Sequence, residues 1–120
     1  MKLYEAPSPN ARRVHIALAE KGIEVERIAV DIRGGENIGA DYLAKNPGGR
    51  VPMLEPDDGT CLGESVAITR YLDALGDGPS LFGDTPLSQA QVEMWHRRAE
   101  LNFLLEVAGA FRNITGFFKD

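Results

Sequence analysis

The sequence predicts an α+β domain on a four-stranded mixed sheet, followed by the start of a helical region. Three observations point to it. Residues 1–32 read strand, helix, strand, the unit that makes two parallel neighbours through a right-handed crossover. Two short apolar segments, 51–55 and 60–62, flank Pro56-Asp57-Asp58-Gly59, whose Asp-Gly step beside a proline signals a hairpin. A helical pattern over 65–75 closes at Gly76, and after Gly76-Asp77-Gly78-Pro79-Ser80 the register changes to one long helical pattern.

The elements follow in order. Residues 2–5 form an apolar-polar strand that Pro7-Ser8-Pro9-Asn10 interrupts before a helix over 11–21. Val14, Ala17, Leu18 and Lys21 share one side of that helix, and Gly22 suits its C-terminal cap. In 25–32, Ile28, Val30 and Ile32 recur at period two, a strand signature. Arg33-Gly34-Gly35-Glu36-Asn37 reads as a loop, and 41–45 as a short helix stopped by Asn46-Pro47-Gly48-Gly49. Proline has no N–H, so Val51-Pro52 running into Met53 and Leu54 predicts a bend just before a strand. X-Pro is also the one common site of a cis peptide bond. A cis Val51-Pro52 bond is expected, with the Val51 N–H and carbonyl turned outward to pair with an extended ligand as a missing strand would. Ile68, Leu72 and Leu75 define the apolar side of the 65–75 helix. Thr85-Pro86 then makes an N-cap and first-turn pair for a helix reaching about residue 111 or 113. Such a helix of ~25 residues would be ~38 Å long, too long for a small domain to cover. Its apolar residues, Trp95 among them, need further helices or a second subunit. The expected division is 1–75, a linker at 76–84, and a partial helical domain at 85–120.

Composition excludes several function classes. In 120 residues, 18 acidic against 13 basic side chains give a net charge of −5, and no basic run is long enough to track a phosphate backbone, so nucleic acid is not an expected partner. A single cysteine, Cys61, rules out an internal disulfide framework and any Cys-x-x-Cys motif. It sits beside Leu62 and reads as a buried small hydrophobe. No apolar run approaches the ~20 residues of a membrane helix, and the N-terminus lacks a signal peptide, so no membrane association and a cytoplasmic location are expected. His15 and His96 lie among charged helical residues without a second ligand at metal spacing, so no metal is expected and both are placed at the surface. Arg12, Arg13, Arg97 and Arg98 read as solvated helix faces.

The chemistry concentrates at two helix starts. A helix N-terminus offers unpaired N–H groups and a positive dipole end, which suits a ligand carboxylate, and Glu64-Ser65 stands at the start of the 65–75 helix. Ser8 stands where the first helix begins. Its hydroxyl serves an anion there, or else Ser8 or Asn10 is simply an N-cap.

Taken in order, Leu3-Tyr4, Ser8-Pro9-Asn10 before Ala11-Arg12-Arg13-Val14, Asn46-Pro47-Gly48-Gly49-Arg50-Val51-Pro52-Met53-Leu54, and Gly63-Glu64-Ser65-Val66-Ala67-Ile68 with Tyr71-Leu72 resemble the glutathione S-transferase superfamily. The resemblance covers its N-terminal thioredoxin-like domain, from Met1 to about Leu75, joined to the first long helix of a helical C-terminal domain that looks truncated at Asp120. Ser8-Pro9-Asn10 resembles the serine-type bacterial and fungal branch rather than the cysteine or tyrosine types, which leaves Tyr4 as a sheet residue. The resemblance implies an enzyme that binds glutathione, stabilises its thiolate and transfers it to a small electrophile. The alternatives are a glutathione-dependent disulfide-bond reductase and a non-catalytic binding module. By residue, it implies Ser8 at the sulfur with Asn10 assisting, and Val51-Pro52 pairing with the tripeptide backbone. Glu64 and Ser65 hold the γ-glutamyl end, and Arg50 either meets the glycyl carboxylate or is solvated. A homodimer is the implied assembly.

Overall fold

The structure is a computed structural model that describes residues 1–115. Alternation along β1 (Lys2–Glu5) puts Leu3 on one side of the strand and Tyr4 on the other. Each side carries its own layer. β1 pairs in parallel with β2 (Glu26–Ala29) and antiparallel with β3 (Met53–Glu55), giving a three-stranded sheet in the order β2-β1-β3. On the Leu3 side, α1 (Pro9–Glu20) and α3 (Ser65–Leu75) pack together, burying Leu3, Val14, Leu18, Leu54, Ile68 and Leu72. On the Tyr4 side, α2 (Ala40–Lys45) contributes Tyr42 to a smaller cluster with Val30 and Met53.

The fourth strand is not formed. Residues 60–62, expected as a strand, are reduced to one bridge, in which Leu54 N donates to the Leu62 carbonyl at 2.9 Å and Leu62 N to the Leu54 carbonyl at 2.8 Å. The turn consumes the next rung, because Gly59 takes φ 80° and Thr60 N donates to Asp58 Oδ1 at 2.8 Å instead of to a partner strand. On the far side Glu64 turns the chain away at φ 62°. The α1 helix ends as its glycine foretells. Gly22 adopts φ 61°, Ile23 N donates to the Leu18 carbonyl and Gly22 N to the Ala19 carbonyl, the paired bonds of a left-handed helix cap.

The chain divides into two compact units, Met1–Leu81 and Phe82–Asp120. In the second, Thr85 and Ser88 form a reciprocal capping box at the start of α4 (Pro86–Ala99). The helix continues through a π-helical turn, Glu100–Leu104, into α5 (Leu105–Ile114). Among the described residues, no helix is long and apolar enough to cross a membrane.

Candidate functional site

Three chain segments meet at the carboxyl end of β1. Ser8 follows β1 directly. β3 runs antiparallel with Met53 opposite Tyr4, so Val51-Pro52 lies just beyond that same end. The return segment through Leu62 pairs with Leu54, which faces Leu3, and therefore carries Gly63, Glu64 and Ser65 back toward it.

Ser8 is the N-cap of α1, and its hydroxyl oxygen accepts from Ala11 N at 3.1 Å, with Pro9 filling the first turn where a missing N–H costs nothing. Capping uses a lone pair and leaves the hydroxyl hydrogen to donate elsewhere. The cap and the anion-binding roles are therefore compatible. Asn10 is exposed in the first turn, with its Oδ1 3.5 Å from the Ser65 hydroxyl.

Ser65 is 6% exposed and opens α3. Its Oγ accepts from Arg13 Nη1 at 2.8 Å, which corrects the reading of Arg13 as a solvated face. With a lone pair engaged by a guanidinium, the hydroxyl is set to donate, and its acceptor here is Asn10 Oδ1 at 3.5 Å. Arg13 is the residue of this corner that the sequence reading passed over. Its signal was the helical offset from Asn10, three residues on and therefore on the same side of α1. Glu64 is the residue before α3, exposed, at φ 62° and ψ 112°, a conformation rare outside glycine, and no side chain caps the helix there. The first N–H groups of α3 thus stay available at the positive end of its dipole.

The Val51-Pro52 bond is cis. Among the described residues, no group of the protein pairs with the Val51 N–H or carbonyl. The preceding carbonyl, of Arg50, is fixed by Tyr42 Oη at 2.8 Å and Asn46 Nδ2 at 2.7 Å, while the Arg50 side chain is exposed. Burial pushes the Tyr42 hydroxyl above its ordinary pKa, so it stays a neutral donor. Asn46 also reaches the return segment: a Cβ on Gly63 would lie 3.5 Å from Asn46 Oδ1.

Tyr4 is turned away from this corner. Its hydroxyl accepts from Lys45 Nζ at 2.8 Å and donates to Glu55 Oε2 at 2.9 Å, with Lys45 also bound to Glu55 at 2.7 Å. These bonds raise the Lys45 pKa and lower that of Glu55. Tyr4 is a sheet residue. Cys61, half-buried, packs beside Tyr42 and Met53 on this side. His15 is half-buried and bound to Glu5 rather than solvated, and Arg98 stacks 5.0 Å over Trp95. Among the described residues, no group of three His, Cys, Asp or Glu side chains gathers to hold a metal ion.

A family model described as glutathione S-transferase, N-terminal domain, matches residues 7–75. The chain belongs to the glutathione S-transferase family. It is 43% identical over 118 residues to glutathione S-transferase 2 of Saccharomyces cerevisiae, covering 96% of this chain and 51% of that protein. A glutathione S-transferase of class Gtt2 from Vibrio parahaemolyticus matches with a TM-score of 0.85 at 50% identity, over 96% of this chain and 58% of the other. A glutathione transferase homologue from Sulfitobacter, solved with glutathione bound, matches with a TM-score of 0.78 at 31% identity over 99% of this chain and 56% of that one. The chain thus spans about half the length of the relatives it matches.

Proposed function

We propose that this chain carries the glutathione site of a glutathione transferase, which stabilises the glutathione thiolate and delivers it to an electrophilic small molecule. The observation that carries the reading is the Arg13–Ser65–Asn10 junction, which ties an uncapped helix start to the corner that holds Ser8. The Ser65 hydroxyl and the first α3 N–H groups take the γ-glutamyl carboxylate, and the Glu64 carboxylate takes its ammonium. The Val51 backbone pairs with the cysteinyl residue, and the exposed Arg50 meets the glycyl carboxylate.

In this reading the sulfur lies near Ser8. A free thiol has a pKa of about 8.5, and lowering it by about two units takes ~2.7 kcal/mol of preference for the anion. A hydrogen bond to a charged group supplies about 1.5–3 kcal/mol and a helix dipole about 0.3–1 kcal/mol. Ser8 plus the α1 N-terminus supplies most of this, with Asn10 as a further polar neighbour. The thiol proton leaves to solvent, and the sulfur lone pair forms a C–S bond to the electrophilic carbon as that carbon's leaving group departs with its electron pair or its π bond yields its pair to the conjugated acceptor. A functional division into 1–75, linker 76–84 and a helical region from 85, a homodimer and a cytoplasmic location belong to the same reading.

Isothermal titration of glutathione into the wild type and Ser65→Ala tests it. Loss of a charge-assisted contact should weaken binding at least tenfold. Equal affinities would move the ligand elsewhere.

A further inference from the structure

Lys21, at the end of α1, is only 4% exposed. Lysine is almost never that deep unless paired. Its ammonium sits 2.9 Å from an Asp73 carboxylate oxygen and donates to the Pro79 carbonyl at 3.0 Å. The same carboxylate accepts from Ser80 Oγ and from Leu81 N, each at 2.9 Å. Gly76 lies so close to Lys21 that a Cβ there would come within 2.5 Å of the Lys21 Cβ. Residues 76–81 have no helix or strand of their own, yet one ion pair holds them down along most of their length. At the end of this segment Leu81 forms a wall of a shallow groove shared with Pro9, Arg13, Ile16 and Thr69.

We propose that the Lys21–Asp73 pair is a latch on the linker, which holds residues 76–81 against α1 and α3 and sets Leu81 as a wall of the groove that begins beside Ser8. A pair that merely joined two helices would leave the linker indifferent to Asp73. Here the carboxylate spends two of its bonds on linker atoms and Lys21 spends one, so the linker stays down only while the pair is intact.

Chymotrypsin cleaves after leucine and phenylalanine, and the Leu81-Phe82 bond ends the latched segment. Cleavage of a folded chain reports the population of the locally opened form. Asp73→Ala removes the acceptor of three charge-assisted bonds, and loss of even one is worth about tenfold in an opening equilibrium. At a temperature where far-UV circular dichroism shows both proteins folded, cleavage at Leu81 should rise at least tenfold in the variant, with cleavage after Leu18 and Leu72 unchanged. Equal cleavage at Leu81 overturns the proposal, because the linker is then not held by Asp73. A uniform rise at Leu18, Leu72 and Leu81 overturns it too, because Asp73 then acts on global stability alone. If Asp73→Ala does not fold, Ser80→Ala keeps the ion pair and removes one linker bond. It should raise cleavage at Leu81 selectively by about tenfold, and the same two results would overturn the proposal.

Discussion

Replacing Ser8 separates two roles that one hydroxyl performs. As the N-cap of α1 it accepts from Ala11 N, and as the proposed thiolate partner it donates through the hydrogen that capping leaves over. Ser8→Ala removes both functions and should cost about 1 kcal/mol of stability through the lost cap. Ser8→Gly also removes the hydroxyl, but glycine caps nearly as well, and the stability cost falls to a few tenths of a kcal/mol. If the hydroxyl serves the sulfur, both variants should raise the pKa of bound glutathione alike despite their different stabilities. A hydrogen bond to a charged group is worth about 1.5–3 kcal/mol, and Ser8 is half-buried, so the lower end applies. That is a rise of about one pKa unit, which near neutrality lowers the thiolate fraction, and with it kcat, about threefold. The ultraviolet thiolate absorbance of the bound complex, titrated against pH for wild type and both variants, measures it. Three coincident curves with glutathione still bound would refute the reasoning and leave Ser8 a helix cap.

Arg13→Met should weaken glutathione binding about tenfold by calorimetry, because Ser65 loses the cation that sets its hydroxyl as a donor; unchanged affinity would restore Arg13 to the solvated class. Glu64→Gly relieves the φ 62° backbone and should stabilise the protein by about 1 kcal/mol in urea while lowering glutathione affinity, and a variant that loses stability would show that no strain was stored there. Burial pushes the Asp73 carboxyl up, but Leu81 N–H, Lys21 and Ser80 outweigh it and hold the group below the usual carboxylate value. With a folded pKa below the unfolded one, the stabilisation is complete above about pH 4 and disappears as pH falls through the folded value. Urea midpoints between pH 7 and pH 3 should therefore fall less steeply at the acid end in Asp73→Asn than in the wild type, and parallel curves would contradict this.

Much of the arrangement was legible because local chemistry and global packing agree. Gly22 is a cap that only a left-handed residue satisfies readily, and it stands where the apolar periodicity of α1 ends. Val51-Pro52 marked its own bend. The α3 range followed from Ile68 and Leu72 together with Gly76. The losses came where a side chain competes with the backbone. Asp58 takes the Thr60 N–H that a fourth strand would have used, and no period-two pattern reveals that. Arg13 looks like any other charged residue on an amphipathic helix, and Lys21, although it falls on the apolar side, names no partner. Only the tertiary fold brings Ser65 to one, 52 positions away in sequence, and Asp73 to the other. Glu64 was found as a residue type, but its backbone conformation has no signature in a non-glycine residue.

The two cores differ in depth, and the candidate site straddles them. Six buried side chains join β1, β3, α1 and α3, whereas α2 rests on three, Val30, Tyr42 and Met53, with Lys45 tied at the surface to Tyr4 and Glu55. Asn37, Tyr42 and Asn46 bind that thin layer to the carbonyls of Gly49 and Arg50. The amides of 36–51 should therefore exchange with solvent as one cooperative group, at a lower free energy than those of α1 and α3. A ligand spanning Val51 and Ser65 stitches the labile group to the durable one. Its protection should accumulate in 36–51 and leave the α1 amides almost untouched, so that occupancy is recorded as quenched local opening rather than as altered shape.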